Sequence, residues 1–177
     1  MDTIPWMDRP ANDLRSRSEI PSLDRTDFAL LEHLQKNARL SNKELADRVG
    51  IAPSTCHTRV QRLHQSGAIR GSHAEVDPAA VGVFLQALIF IQLANHAGAR
   101  IAEMRKRLLE LREVAELYYL GGSQDLVVRV AVRDTDHLRQ LVMEGISTDE
   151  SVRHLETSII FDHEKSPSLP EYREHPE

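Results

Sequence analysis

The chain has 177 residues, with 22 Lys+Arg against 27 Asp+Glu and a formal net charge of −5. That length suits one domain or two small ones, and 41% hydrophobic residues support a buried core. A single cysteine excludes a disulfide framework and any multi-cysteine zinc site. Nine histidines invite a metal reading, but none pairs with a carboxylate at ligand spacing, so no metal and no cofactor are expected. No apolar run reaches transmembrane length, and the N-terminus lacks a cationic region followed by an apolar one. A cytoplasmic location without a membrane partner is therefore expected.

Residues 1–22 hold Pro5, Pro10 and Pro21 among mixed charges and read as a flexible N-terminal extension. A helix is then predicted over Thr26–Asn37, with Phe28, Leu30, Leu31 and Leu34 for a core face. Asn42–Val49 is a second helix. Ser41 is its N-cap and Glu44 stands three residues on, a capping-box pattern. Gly50 stops it, and Pro53 opens a third helix that runs to about Ser66 before Gly67. Cys56, Val60 and Leu63 share one face of this third helix at i, i+4 and i+7. Its other face carries Ser54, Thr55, His57, Thr58, Arg59 and Arg62, all of them hydrogen-bond donors or cations. Such a face suits base edges and phosphates in a DNA major groove. The competing reading is a plain solvated helix surface.

Charge favours the first reading. Leu23–His73 holds 8 Lys+Arg and 5 Asp+Glu, a net +3, which leaves −8 for the rest of the chain. A positive module on an acidic protein fits a part that meets phosphate. Ser54, Thr55, His57 and Thr58 are the expected base readers, and Arg59 and Arg62 the expected phosphate grips. Ser41, Asn42 and Lys43, at the start of the preceding helix, would clamp backbone phosphate with help from the helix dipole. Residues 23–67 form this DNA-binding domain, with double-stranded DNA as its partner.

Residues 68–82 read as a linker strand, broken at Asp77-Pro78. From there the pattern changes. Val83–Leu93 is a strand, Gly98–Leu111 a helix and Val114–Leu120 a strand. Asp125–Val132 is a further strand, Asp134 to about Gly145 a helix, and Val152–Phe161 a last strand. The order β-α-β-β-α-β is the split, ferredoxin-like arrangement over residues 83–165. The predicted fold is therefore α+β: an N-terminal helix-turn-helix (winged-helix-like) domain followed by a C-terminal ferredoxin-like domain. Residues 166–177, with Pro167, Pro170 and Pro176, are expected to be a flexible tail.

A sheet with helices on one side should alternate apolar and polar residues. Leu88, Ile89, Phe90 and Ile91 do not, and neither do Leu126, Val127 and Val128. Leaving the second face in water would cost several kcal/mol at about 25 cal/mol per Å². A second copy of the chain is the favoured cover, and a DNA reader gains from two half-sites. The rival cover is the DNA module or linker of the same chain.

Taken together, the two halves resemble the Lrp/AsnC family, the leucine-responsive and asparagine-regulatory bacterial transcription regulators. The resemblance runs from Ser22 to about Lys165. It rests on the helix-turn-helix phrase ending in Arg59, Val60, Arg62, Leu63, Gly67 and Ile69, and on Asp77, Pro78 and Gly82 in the linker. In the second half it rests on Gly122 and Asp125 ahead of an aliphatic strand. Two positions depart from the family pattern. Ala52 replaces a Ser or Thr ahead of the recognition helix, and Gln124 replaces an aromatic. The resemblance implies homodimers that assemble further, often to octamers. It also implies a small effector, usually an amino acid, bound between subunits near the Gly122/Asp125 loop.

The residues of that loop are compatible with such a ligand. Gly121 and Gly122 can offer backbone N–H groups to a carboxylate, Asp125 can pair an ammonium, and Ser123 and Gln124 can orient the ligand. Ser147, Thr148 and Asp149 are candidates for the far wall. The bland alternative is a glycine hairpin turn whose aspartate caps its own backbone. No nucleophile–base pair or phosphate loop stands out, so the expected protein is a regulator and not an enzyme. The alternatives are an architectural protein that compacts DNA without sensing a ligand and, less favoured, an enzyme built on the ferredoxin-like domain.

Overall fold

Local capping signals set the first three helices of the computed structural model, which describes residues 22–94 and 98–170 together with Tyr172. The predicted N-terminal extension lies almost wholly outside these residues. Helix α1 spans Arg25–Lys36, α2 Asn42–Val49 and α3 Pro53–Gln65. Asp24 caps α1: its side chain accepts from the Asp27 N–H at 2.9 Å, and Asp27 accepts in return from the Asp24 N–H at 3.1 Å. Ser41 and Glu44 form the same reciprocal box on α2. Gly50 then adopts φ 73°, a left-handed conformation that costs any other residue more, and lets the chain turn into α3. Ala52 offers no side-chain cap, and Pro53 alone presets the first turn of α3. Leu30, Leu45, Ala46, Cys56 and Leu63 seal the three helices around a small core.

The chain divides into two units. Among the described residues, one comprises 22–74 together with 165–170 and Tyr172; the other comprises 75–94 and 98–164. In the second unit β1 is Leu85–Leu93, α4 Gly98–Glu110, β2 Val114–Tyr119 and β3 Leu126–Val132. Helix α5 runs over Thr135–Gln140 and continues as a π-helical stretch over Leu141–Ile146, and β4 is Val152–Ile159. The sheet is four-stranded, in the order β2-β3-β1-β4, with every neighbouring pair antiparallel. This is the expected βαββαβ topology.

Strand β1 alternates in burial despite its unbroken apolar sequence. Ala87, Ile89, Ile91 and Leu93 are sealed among Ile101, Met104 and Leu108 of α4 and Leu138 of α5. Leu88 and Phe90 lie on the opposite face and are half-buried, while Val127 beside them is buried. That second face is less uniformly apolar than its sequence suggested. Arg129 donates from Nη1 to Gln86 Oε1 and from Nη2 to Glu116 Oε1, both at 2.7 Å. Tyr118 also donates to Glu116.

Two expectations need correction. Residues 70–77 form no strand, although 68–82 was read as a linker strand. A strand requires a neighbour to receive its N–H and C=O groups, and weak alternation does not supply one. The predicted tail is also not wholly loose where it is described. The Leu169 N–H donates to Gln35 Oε1 of α1 at 2.9 Å, within the first unit.

Candidate nucleic-acid interface and effector loop

Helix α3 turns Cys56 and Leu63 into the core, and its 3.6-residue period therefore sends Ser54, Thr55, His57 and Thr58 outward. All four are exposed. Ser54, Thr55, Thr58, Arg59 and Arg62 line one shallow cleft of about 390 Å³. Thr58 donates its hydroxyl to the Ser54 carbonyl at 3.1 Å, which leaves its oxygen an acceptor on the outer side. Five of the six candidate residues of α3 thus surround one concavity, whereas His57 lines a separate groove with Val60 and His64.

Arg59 and Arg62 have partners that the sequence reading missed. Asp27 of α1 is completely buried, and both guanidiniums reach it. Arg59 Nη1 lies 2.9 Å from Asp27 Oδ1 and 2.6 Å from Asp24 Oδ2, and Arg62 Nη2 donates to Asp27 Oδ2. The Arg62 side chain remains 50% exposed and that of Arg59 26%. The Asp24-x-x-Asp27 spacing ahead of an apolar run signals a capping box with a carboxylate in both places, but not the two arginines that those carboxylates reach.

The start of α2 is also engaged internally. Ser41 Oγ donates to Glu44 Oε2 at 2.7 Å and accepts from the Glu44 N–H at 3.2 Å. Asn42 Nδ2 donates to the Pro53 carbonyl at 2.7 Å, pinning the start of α2 to the start of α3. These bonds brace the turn. Lys43 between them is exposed.

Two caps of this domain give it a testable acid sensitivity. The Asp27 N–H, followed by Arg59, holds the Asp24 carboxyl below its ordinary value of 3.8. The Ser41 hydroxyl and backbone N–H hold Glu44 below 4.5. Depressed carboxylates add stability that is present above the unfolded-state value and lost as pH falls through the folded-state value. The helical domain should therefore melt at a constant temperature near neutrality and at falling temperatures below about pH 4. Circular dichroism melts across that range check this, and a flat acid limb would refute the assignment.

In the second unit the Gly121–Asp125 turn joins β2 to β3. Gly121, Gly122 and Ser123 are exposed. Neither glycine has positive φ, and a Cβ on either would meet nothing within 4 Å. Asp125 is only 7% exposed. Its Oδ2 accepts from the Leu93 N–H at 2.8 Å, and its own N–H donates to the Ile91 carbonyl at 3.0 Å. Asp125 therefore fastens the end of β1. A buried strand N–H thus occupies one oxygen of the carboxylate expected to pair an ammonium. The Gln124 Oε1 atom is buried with no hydrogen-bond partner.

The far-wall candidates sit at the same end of the sheet. The Ala94 N–H, next to Leu93, donates to the Ser151 carbonyl at 2.8 Å, and Asp149 Oδ1 accepts from the Ser151 N–H at 2.7 Å. Arg107 of α4 reaches Asp149 at 2.9 Å. Ser147 and Thr148 donate back to the Met143 and Glu144 carbonyls at 3.0 and 3.2 Å. Their hydroxyls thus satisfy carbonyls of the π-helical turn. Among the described residues, no cluster of His, Cys, Asp and Glu suits a metal, and no helix is long and apolar enough to cross a membrane.

Comparison with known proteins places both units. Residues 23–70 match the winged helix-turn-helix DNA-binding model, and residues 86–169 match the Lrp/AsnC ligand binding domain. The transcriptional regulator AldR of Mycobacterium tuberculosis is 44% identical over 80% of this chain and 79% of its own length. The regulatory protein AsnC of Escherichia coli K12 is 32% identical over 78% of this chain and 90% of its own. Among solved structures, a transcriptional regulator of Neisseria meningitidis in complex with L-Met superposes with a TM-score of 0.78 at 29% identity. The match covers 84% of this chain and 97% of that one. The structure of E. coli AsnC gives 0.73 at 30% identity, covering 84% and 99%. The chain belongs to the Lrp/AsnC family of DNA-binding transcription regulators, with an N-terminal winged helix-turn-helix and a C-terminal ligand-binding domain.

Proposed function

We propose that this regulator reads duplex DNA with the outer face of α3 and changes its assembly or DNA affinity on binding a small amino-acid-like effector. The observation that carries the DNA half is the cleft formed by Ser54, Thr55, Thr58, Arg59 and Arg62 on a helix whose other side is sealed in the core. In this reading Ser54, Thr55, His57 and Thr58 approach base edges. Arg59, Arg62 and Lys43 meet phosphate, and Ser41 and Asn42 hold the turn while their helix start faces the backbone.

The effector half rests on the Gly121–Asp125 turn. Neither dihedral strain nor crowding inside the chain requires glycine at 121 or 122. Close approach of a ligand or a second subunit supplies a reason for it. The unpartnered Gln124 Oε1 offers an acceptor beside them. Ser123 orients the ligand, and Ser147, Thr148 and Asp149 shape the same end of the sheet. The L-Met complex of the Neisseria relative agrees with an amino-acid ligand. The half-exposed Leu88 and Phe90 face pairs with the same face of a second copy, and two copies present two α3 helices to a pseudo-palindromic site.

Footprinting on genomic duplexes, with and without each of the twenty amino acids, tests the whole reading. A few discrete protected sites that change with one or a few amino acids are expected. Uniform coverage that ignores every amino acid would replace the sensor with an architectural protein. A parallel thermal-shift screen should show the same amino acids raising the melting temperature, because a ligand that binds only the folded state stabilises it by mass action.

A further inference from the structure

We propose that Asp27, helped by Asp24, is a positioning residue for DNA recognition: it holds the Arg59 and Arg62 guanidiniums in place and neutralises them, so that tight binding requires the right duplex. This rests on the reading of α3 as the DNA-facing helix.

The geometry is built for it. Asp27 is fully buried on α1, 32 and 35 residues away in sequence from the two arginines it holds. One of its oxygens takes Arg59 and the other takes Arg62, and Asp24 adds a second acceptor for Arg59 at 2.6 Å. Each guanidinium has five N–H donors, and these contacts use one nitrogen of each, so donors remain for a ligand in the α3 cleft. Both arginines line that cleft with Ser54, Thr55 and Thr58. Cohesion alone is a poor reason for the arrangement. Burying a carboxylate between cations carries a large desolvation cost, and apolar residues fill such a place equally well.

Charge decides what the arrangement does. Two carboxylates and two guanidiniums sum to zero. Non-specific affinity for DNA comes from uncompensated cations that release counterions from phosphate. A neutral cluster contributes little to that attraction. It still presents oriented donors, which reward only a phosphate or guanine in the right place. Asp27 thus trades general stickiness for discrimination.

The test uses the full chain and two duplexes. One is recovered by selection from a random pool with the parent protein, and the other is an unselected sequence of the same length. Asp27→Asn keeps the shape and removes the charge. It should raise affinity for the unselected duplex by about threefold to tenfold at moderate salt and steepen its salt dependence by about one unit. Affinity for the selected duplex should not rise in proportion, so the ratio of the two should fall by about tenfold. Asp24→Asn is the second variant, since asparagine caps a helix as well as aspartate does. It should shift the ratio the same way by a smaller amount, and it guards against a folding failure at the buried site. Equal loss on both duplexes, or an unchanged ratio in both variants, would overturn the positioning role. Failure of the parent protein to bind any duplex would instead sink the assignment of α3.

Discussion

Thr58→Glu should cost the protein nearly all its DNA binding while leaving its melting temperature close to that of the parent. Thr58 is exposed on α3, and its one internal bond goes to the Ser54 carbonyl of its own helix. Glutamate has the better helix propensity, and an exposed change of this kind alters stability by no more than about 0.5 kcal/mol. On the DNA side the effect is large. A carboxylate in the cleft would face phosphates and base acceptors, and like charges brought together at an interface cost several kcal/mol. It would also sit four residues before Arg62, where it can pair with the guanidinium and withdraw it. Affinity should therefore fall by a factor on the order of a hundred or more. Duplex titration beside a thermal melt makes the comparison. Binding within about threefold of the parent would mean that α3 does not face DNA in this way.

Asp125→Ala should unfold the ligand-binding domain at lower denaturant and so separate structure from sensing. The side chain is buried and accepts from the Leu93 N–H at 2.8 Å, where β1 ends. Its backbone N–H and C=O pair with Ile91 and Leu120, so one residue ties together the ends of β1, β2 and β3. Removing the carboxylate leaves the Leu93 N–H without this acceptor inside the fold, a loss of about 1–3 kcal/mol. Asp125→Asn retains a carbonyl oxygen for that N–H and should recover much of the stability. Urea unfolding of the parent and both variants measures this. An alanine variant as stable as the parent would remove the fastening role. If the asparagine variant is stable yet deaf to the amino acid that protects the parent, the negative charge also serves the ligand.

Much of this architecture is legible in sequence because its causes are local. Ser41 and Glu44 are three residues apart, Gly50 needs only its own freedom at φ 73°, and Pro53 needs only its own ring. The same holds for Cys56 and Leu63 on α3, and for the strands and helices of the second unit, whose bounds shift by only a residue or two. The continuation of α5 as a π-helical stretch over Leu141–Ile146 was not legible, since periodicity does not separate it from an ordinary helix. The linker was misread because a strand is defined by its partner, and alternation within one segment does not report one.

The candidate sites divide along the same line. Sequence alone determined which residues α3 turns outward, and that a glycine turn precedes an aspartate and an aliphatic strand, because helix period and turn chemistry act over a few residues. Only the tertiary structure decided what those residues hold. Asp27 meets Arg59 and Arg62 across more than thirty residues of chain, and Asp125 meets Leu93 across 32. Those pairings exist because packing excludes water and forces each buried polar group to find a partner wherever the fold brings one. No spacing rule along the chain contains that information.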